Sequence, residues 1–262
     1  MITTLYGTIS YFIACIKGLS VFSVKGLIFA AILFLEGRRW FVETYLILLL
    51  FSPFINIVIH ECGKKSFTVL IEIQISLFCI WYSIGYSAPL LDDGYGIINF
   101  ITLYSIGAYI RKYQQEIKLP RNWICILSYV LVCVITFVLN LRVNSLGYSF
   151  ITNIVASIFV FVGFLNWRIS VNRYINHIST YVFDIYFVHT DKILGKYLFQ
   201  NILKSTSATL GVLSLGFHWM VTVIVIFSLG IIVGGMRKFL FEKVLYQRIG
   251  FDVIPNKKIS IW

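Results

Sequence analysis

The chain has 262 residues, of which 59% are hydrophobic and only 13% charged, with a mean hydropathy of +0.87. A soluble domain is roughly 45–50% apolar and about 25% charged, so this sequence lacks the polar surface that a soluble fold of its size needs, and its 17% aromatic content excludes a disordered chain. The net charge of +11 does not point to nucleic acid, because the cations stand in short clusters between apolar runs, the pattern that orients a membrane protein.

A spanning helix takes ~20 mostly apolar residues. The sequence therefore predicts one all-α membrane domain over residues 1–262, a polytopic transmembrane bundle of about eight to nine spans. Residues 2–16 are apolar but interrupted, and they carry no signal-peptide pattern. Residues 19–35 form a marginal span with Lys25 near its start. A clearer span, 40–59, is introduced by Arg38 and Arg39. After the basic pair Lys64 and Lys65 comes a span over 67–86, then a short loop with Pro89, Asp92, Asp93 and Gly94. The span 95–110 ends at Arg111 and Lys112, and a polar stretch through Glu116, Lys118, Pro120 and Arg121 follows. Strong spans are expected over 123–141 and 148–167, followed by Arg168 and Arg173. Residues 178–198 form an apolar run with polar interruptions, and 210–236 form the last span before a basic tail.

One topology places the four basic segments (64–65, 111–121, 168–173 and the tail) on the cytoplasmic side and the acidic pair Asp92 and Asp93 outside. It also leaves Arg38, Arg39, Lys192, Lys196 and Lys204 outside. The five cysteines show no CxxC spacing, mostly lie inside apolar runs, and read as small buried hydrophobes rather than a disulfide framework or a metal site.

Ionisable groups inside apolar runs are costly and mark candidate sites. Glu43 lies four positions after Arg39, a spacing that allows a helix-end ion pair. Glu72 is expected to snorkel towards Lys64 and Lys65. Asp184 is the deepest acid, with Tyr186 and His189 following it. The last two are three apart and share a helix face. A histidine with a phenol and a carboxylate nearby can act as general base on a hydroxyl; the same residues can equally form a hydrogen-bonded interfacial cluster. No HExxH, DxD, Walker or GxSxG pattern occurs.

Several stretches resemble one family. Ser179-Thr-Tyr-Val-Phe183-Asp-Ile-Tyr186-Phe-Val-His189, led in by Asn176-His-Ile-Ser179, is similar to the pattern S-x-x-x-F-G-[IV]-Y-L-[IV]-H of the acyltransferase 3 family, the integral-membrane enzymes that modify bacterial surface polysaccharides. Trp40-Phe41, Tyr45 and Ser52-Pro53-Phe54-Ile55-Asn56 resemble its W-F-x-x-x-Y…S-P-[FL]-[LI]-N helix. Leu103-Tyr104-Ser-Ile-Gly107-Ala108-Tyr109-Ile-Arg111 resembles its L-Y-L-I-G-A-Y-I-R segment, and Met236-Arg237-Lys238-Phe239 its last basic exit. Asp184 stands where the pattern has glycine, and the aspartate that follows the family's histidine is displaced to Asp191 by Thr190. The family's first helix, with its histidine and arginine, has no counterpart here. The domain is accordingly expected to be N-terminally incomplete relative to the family, through a truncated frame or a helix supplied otherwise.

The resemblance implies acyl transfer, with acetyl-CoA as donor substrate and no permanently bound cofactor or metal. The acceptor would be a sugar hydroxyl of a lipid-linked glycan or of an O-antigen, capsule or exopolysaccharide. It implies His189, Tyr186 and Glu43 as catalytic candidates. Arg111, Lys112 and Arg121 would face the cytoplasm and hold the CoA phosphates. Membrane lipids are the other expected partner, nucleic acid is not, and the location is a bacterial cytoplasmic membrane with the C-terminus inside. A polysaccharide flippase, a polymerase or an inactive remnant are the competing readings; no internal repeat of the transporter kind occurs.

Overall fold

The computed structural model describes residues 2–32, 40–85, 92–167, 171–191, 194–203 and 211–239. Among these every regular element is a helix, so the all-α expectation holds. Among the described residues four helices are long and apolar enough to cross a membrane: Trp40–Glu61, Lys64–Ser83, Asn122–Asn140 and Leu213–Arg237. The expectation of eight to nine spans includes shorter runs as well. Ile151–Asn166 has 16 residues, about 24 Å of helix at 1.5 Å per residue. The run over 178–198 is cut into short helices instead of forming one span.

The chain divides into two compact units, one made of Met1–Arg39 with Val171–Trp262 and the other of Trp40–Ser170. The first contains α1 (Ile2–Ile16), α2 (Val24–Ala31) and the C-terminal helices. After Gly18, whose φ is +68°, the chain folds back on α1. There the Tyr11 hydroxyl accepts from the Ser23 amide at 2.8 Å, and Ser23 in turn caps α2 by accepting from the Gly26 amide at 3.0 Å. A Cβ at Gly26 would lie 2.4 Å from the Tyr11 oxygen, so only glycine admits this phenol.

The second unit contains α3 (Trp40–Glu61), α4 (Lys64–Ser83, with a π-helical turn at Ser76–Ile80), α5 (Ile97–Tyr113), α6 (Asn122–Asn140) and α7 (Ile151–Asn166). Its core joins Cys79, Ile106, Ile110, Cys125, Ile154 and Val162. Of the free cysteines, Cys79 and Cys125 are buried, Cys15 and Cys62 half-buried and Cys133 exposed. Much of the remaining apolar surface faces outwards, with Leu131, Phe137 and Phe54 more than half exposed, as expected where lipid is the solvent.

Pro53 sits inside α3 and has no N–H to give the Leu49 carbonyl four residues back. The Ser52 hydroxyl supplies that bond at 2.9 Å. Neighbouring hydroxyls are one way a proline is tolerated in apolar surroundings. Ser52→Ala is expected to lower stability by about 1 kcal/mol, read as a lower melting temperature of the detergent-solubilised chain. An unchanged melting temperature would show that the carbonyl has another donor.

The two ends of this unit differ in chemistry. At the end where α3 finishes, Lys64 bonds Glu116 at 2.7 Å. This corrects the expected pairing of Glu72 with Lys64 or Lys65: Glu72 lies eight residues along α4, about 12 Å from Lys64, and is exposed. At the opposite end, Asp92, Asp93 and Gly94 all have positive φ (46°, 49° and 85°). This tight turn lets the Tyr82 hydroxyl donate to Asp93 at 2.7 Å and packs Gly94 directly on the Ser149 backbone. Expected ion-pairing of Glu43 with Arg39 lies outside the described residues, as do the placements of Arg38, Lys192 and Lys204.

Candidate functional site

The expected polar group sits on α9 (Val182–Thr190), preceded by α8 (Arg173–Ser179) and packed on α11 (Val212–Arg237). Two glycines of α11 let α9 come close. A Cβ at Gly230 would lie 2.6 Å from the Ile185 Cα, and one at Gly234 would lie 2.6 Å from the Asp184 carboxylate. Gly230 and Gly234 form a GxxxG pair in an apolar helix, the spacing that permits close helix contact in membranes. That spacing is the local signal in the sequence that could have located this contact.

Asp184 is 1% exposed and fully engaged. Its carboxylate accepts from the Tyr6 hydroxyl of α1 at 2.7 Å, from Arg237 Nε at 2.8 Å and from Arg237 Nη2 at 3.3 Å. The Tyr6 ring also stacks on Phe187, with centroids 5.1 Å apart. Next to Arg237, Lys238 donates to the Thr180 hydroxyl at 2.6 Å and lies 3.9 Å above the Tyr181 ring. Tyr6 and Arg237 are not among the residues expected at the site. The only sequence hint is an acid in one apolar run and an arginine closing another.

His189 belongs to a different face. Five residues after Asp184, it is rotated about 140° around the helix, so Asp184 does not orient its ring. The expected trio thus separates into the Asp184–Arg237–Tyr6 cluster and the Tyr186–His189 pair. The latter two do share a face, with rings edge-on at 5.7 Å and 85°. His189 Nδ1 lies 2.8 Å from the Ile185 carbonyl. A carbonyl only accepts, so Nδ1 carries a proton, and in the neutral ring Nε2 is the nitrogen with the lone pair. The helix ends at Asp191, whose carboxylate accepts from Ser10 of α1 at 2.6 Å. The short α10 (Leu194–Tyr197) then brings Gly195 against the His189 carbonyl, where a Cβ would be 2.7 Å away.

The remaining expected residues lie in the second unit. Arg111 and Arg121 are exposed. Lys112 is engaged elsewhere, because its ammonium donates to the carbonyls of Ile59 at 2.7 Å, His60 at 3.2 Å and Cys62 at 3.0 Å. Those three bonds use all its protons and cap the C-terminus of α3. Glu43 is half-buried one turn into α3.

In comparisons with known proteins, the acyltransferase 3 family model, described as an acyltransferase domain, matches residues 2–237. No curated protein and no solved structure matches the chain. A match that runs through nearly the whole chain, on an all-helical fold with membrane-length spans, establishes that the chain belongs to the acyltransferase 3 family of membrane acyltransferases.

Proposed function

We propose that the protein is an O-acyltransferase of a bacterial cytoplasmic membrane, moving an acyl group, acetyl in the simplest case, from acyl-CoA to a sugar hydroxyl of a surface polysaccharide or its lipid-linked precursor. The observation that carries the reading is the His189 ring in an acyltransferase-family chain, held on its own helix with Nε2 as the basic nitrogen. In the reaction Nε2 takes the proton of the acceptor hydroxyl as its oxygen attacks the thioester carbon. The C–S bond breaks, the ester forms, and the imidazolium returns the proton to the departing CoA thiolate. Tyr186, edge-on to the ring, fixes its plane. The exposed Arg111 and Arg121 suit the CoA phosphates, on which guanidinium forks bind well, whereas Lys112 is spent on α3. The C-terminus lies on the cytoplasmic side in this reading.

The test is proton NMR of O-acetyl groups on the surface polysaccharide. Wild type, a deletion strain and the deletion carrying this reading frame are compared. Loss of the acetyl signal on deletion and its return with the frame is expected. An unchanged acetyl signal with shortened or absent polysaccharide would overturn the reading in favour of polymerisation or transport.

A further inference from the structure

The end of the second unit that carries Asp92 and Asp93 combines three features. The first is a platform of rings. Trp40 meets Tyr95 edge-to-face at 4.6 Å and tilts against Tyr148 at 5.2 Å, while Tyr95 and Tyr148 meet at 5.1 Å and 78°. Tyr95 is 43% and Tyr148 48% exposed, so the platform presents open ring surface. The second is a pair of buried oxygens without a donor. Glu43 Oε1, one turn beyond Trp40 on α3, and Asn99 Oδ1, one turn into α5, have no hydrogen-bond partner among the described residues. The Asn99 side chain is 5% exposed and its amide nitrogen is already committed to the Gly94 carbonyl at 2.9 Å. The third is that α3 approaches the residue just before α5 here, where the Thr44 hydroxyl, 2.7 Å from the Trp40 carbonyl, also lies 3.2 Å from the Tyr95 carbonyl.

An unsatisfied buried acceptor is costly, and an ionised carboxylate oxygen more so. Both orphans are acceptors, so what is missing is a set of donors. Interfacial anchoring explains aromatic rings at a membrane surface, but it supplies no donor to Glu43 or Asn99. A ligand that offers hydroxyl donors on its edges and apolar C–H faces to the rings meets the first two features together.

We infer that Trp40, Tyr95, Tyr148, Glu43 and Asn99 form a sugar-binding subsite for the glycan acceptor, with acceptor hydroxyls donating to Glu43 and Asn99 and a pyranose face lying on the rings. This rests on the glycan reading of the acceptor given above. It makes Glu43 a binding group rather than a proton carrier.

The experiment uses the full chain in detergent. The probe is a short oligosaccharide cut from the host strain's own surface polysaccharide and de-O-acetylated in mild alkali, with binding followed by saturation-transfer NMR and calorimetry. Glu43→Gln turns a charge-assisted bond into a neutral one, and Tyr148→Ala removes one wall. Each is expected to weaken binding about tenfold, while the outward-facing Leu131→Ala leaves it unchanged. Without sugar, Glu43→Gln is expected to hold or raise the melting temperature, because the buried Oε1 has no donor among the described residues and an amide oxygen costs less to leave unpaired than a carboxylate oxygen. Variants that bind as wild type, or a Glu43→Gln chain that melts earlier, would overturn the subsite. A wild-type chain that fails to bind the probe also overturns it. The O-acetyl comparison above then separates the cases: if acetylation depends on the chain the acyltransferase reading stands, and if not both fall.

Discussion

Arg237→Ala is expected to destabilise the detergent-solubilised protein by about 3–5 kcal/mol, the range for breaking a buried ion pair from one side. The Asp184 side chain is 1% and the Arg237 side chain 9% exposed. Removing the guanidinium leaves a carboxylate enclosed by α1, α9 and α11 with, among the described residues, only the Tyr6 hydroxyl to stabilise it. Tyr6→Phe takes away one bond to a charged acceptor and is expected to cost about 1.5–3 kcal/mol. The double replacement Asp184→Leu with Arg237→Met removes both charges together, and is expected to recover much of the loss because two ions no longer need to be desolvated. Thermal or denaturant unfolding of the three variants against wild type measures this. A double variant as unstable as Arg237→Ala would show that the close fit of Asp184 against Gly234, rather than its charge, holds α9 on α11.

The contrast between these two faces of α9 explains what the sequence makes legible. The span over 40–59 reappears as Trp40–Glu61 and that over 123–141 as Asn122–Asn140, because continuous apolar length within one segment sets both. The Tyr186–His189 pair follows in the same way, since positions three apart share a helix face. The partners of Asp184 come from 178 residues before and 53 residues after it, and no local pattern carries that information. The run over 178–198 is legible in part. The polar pairs Ser179-Thr180 and Thr190-Asp191 mark where it breaks, but the contacts made there show only in the fold: the Thr180 hydroxyl on the His177 carbonyl at 2.8 Å and Ser10 on Asp191. Lys112 shows a contact that its local cluster does not announce. A cation in a basic cluster is expected to meet phosphates, whereas its ammonium donates to three carbonyls at the end of α3, which the local sequence does not reveal.

His189→Ala is expected to lower acyl transfer by about 10²–10⁴-fold, the range for loss of a general base, with little change in stability. The second half of that statement is what separates chemistry from architecture. The half-buried imidazole makes its hydrogen bond to a carbonyl of its own helix, so deleting it strands no distant partner among the described residues, unlike deletion of Arg237. Tyr186→Phe retains the ring that stands edge-on to His189 and is expected to reduce the rate roughly tenfold or less if the phenol adds only a hydrogen bond. The measurement is the O-acetyl content of polysaccharide from deletion strains carrying each variant, normalised to the amount of folded protein in the membrane. Full acetylation by His189→Ala at wild-type protein levels would remove His189 from the mechanism. The base would then have to come from elsewhere in the chain, and the fixed Nδ1 proton would be a property of the α9 terminus alone. Loss of acetylation with wild-type levels of folded protein would place proton transfer at Nε2, because the ring's hydrogen bond ties it to its own helix and holds no other described element in place.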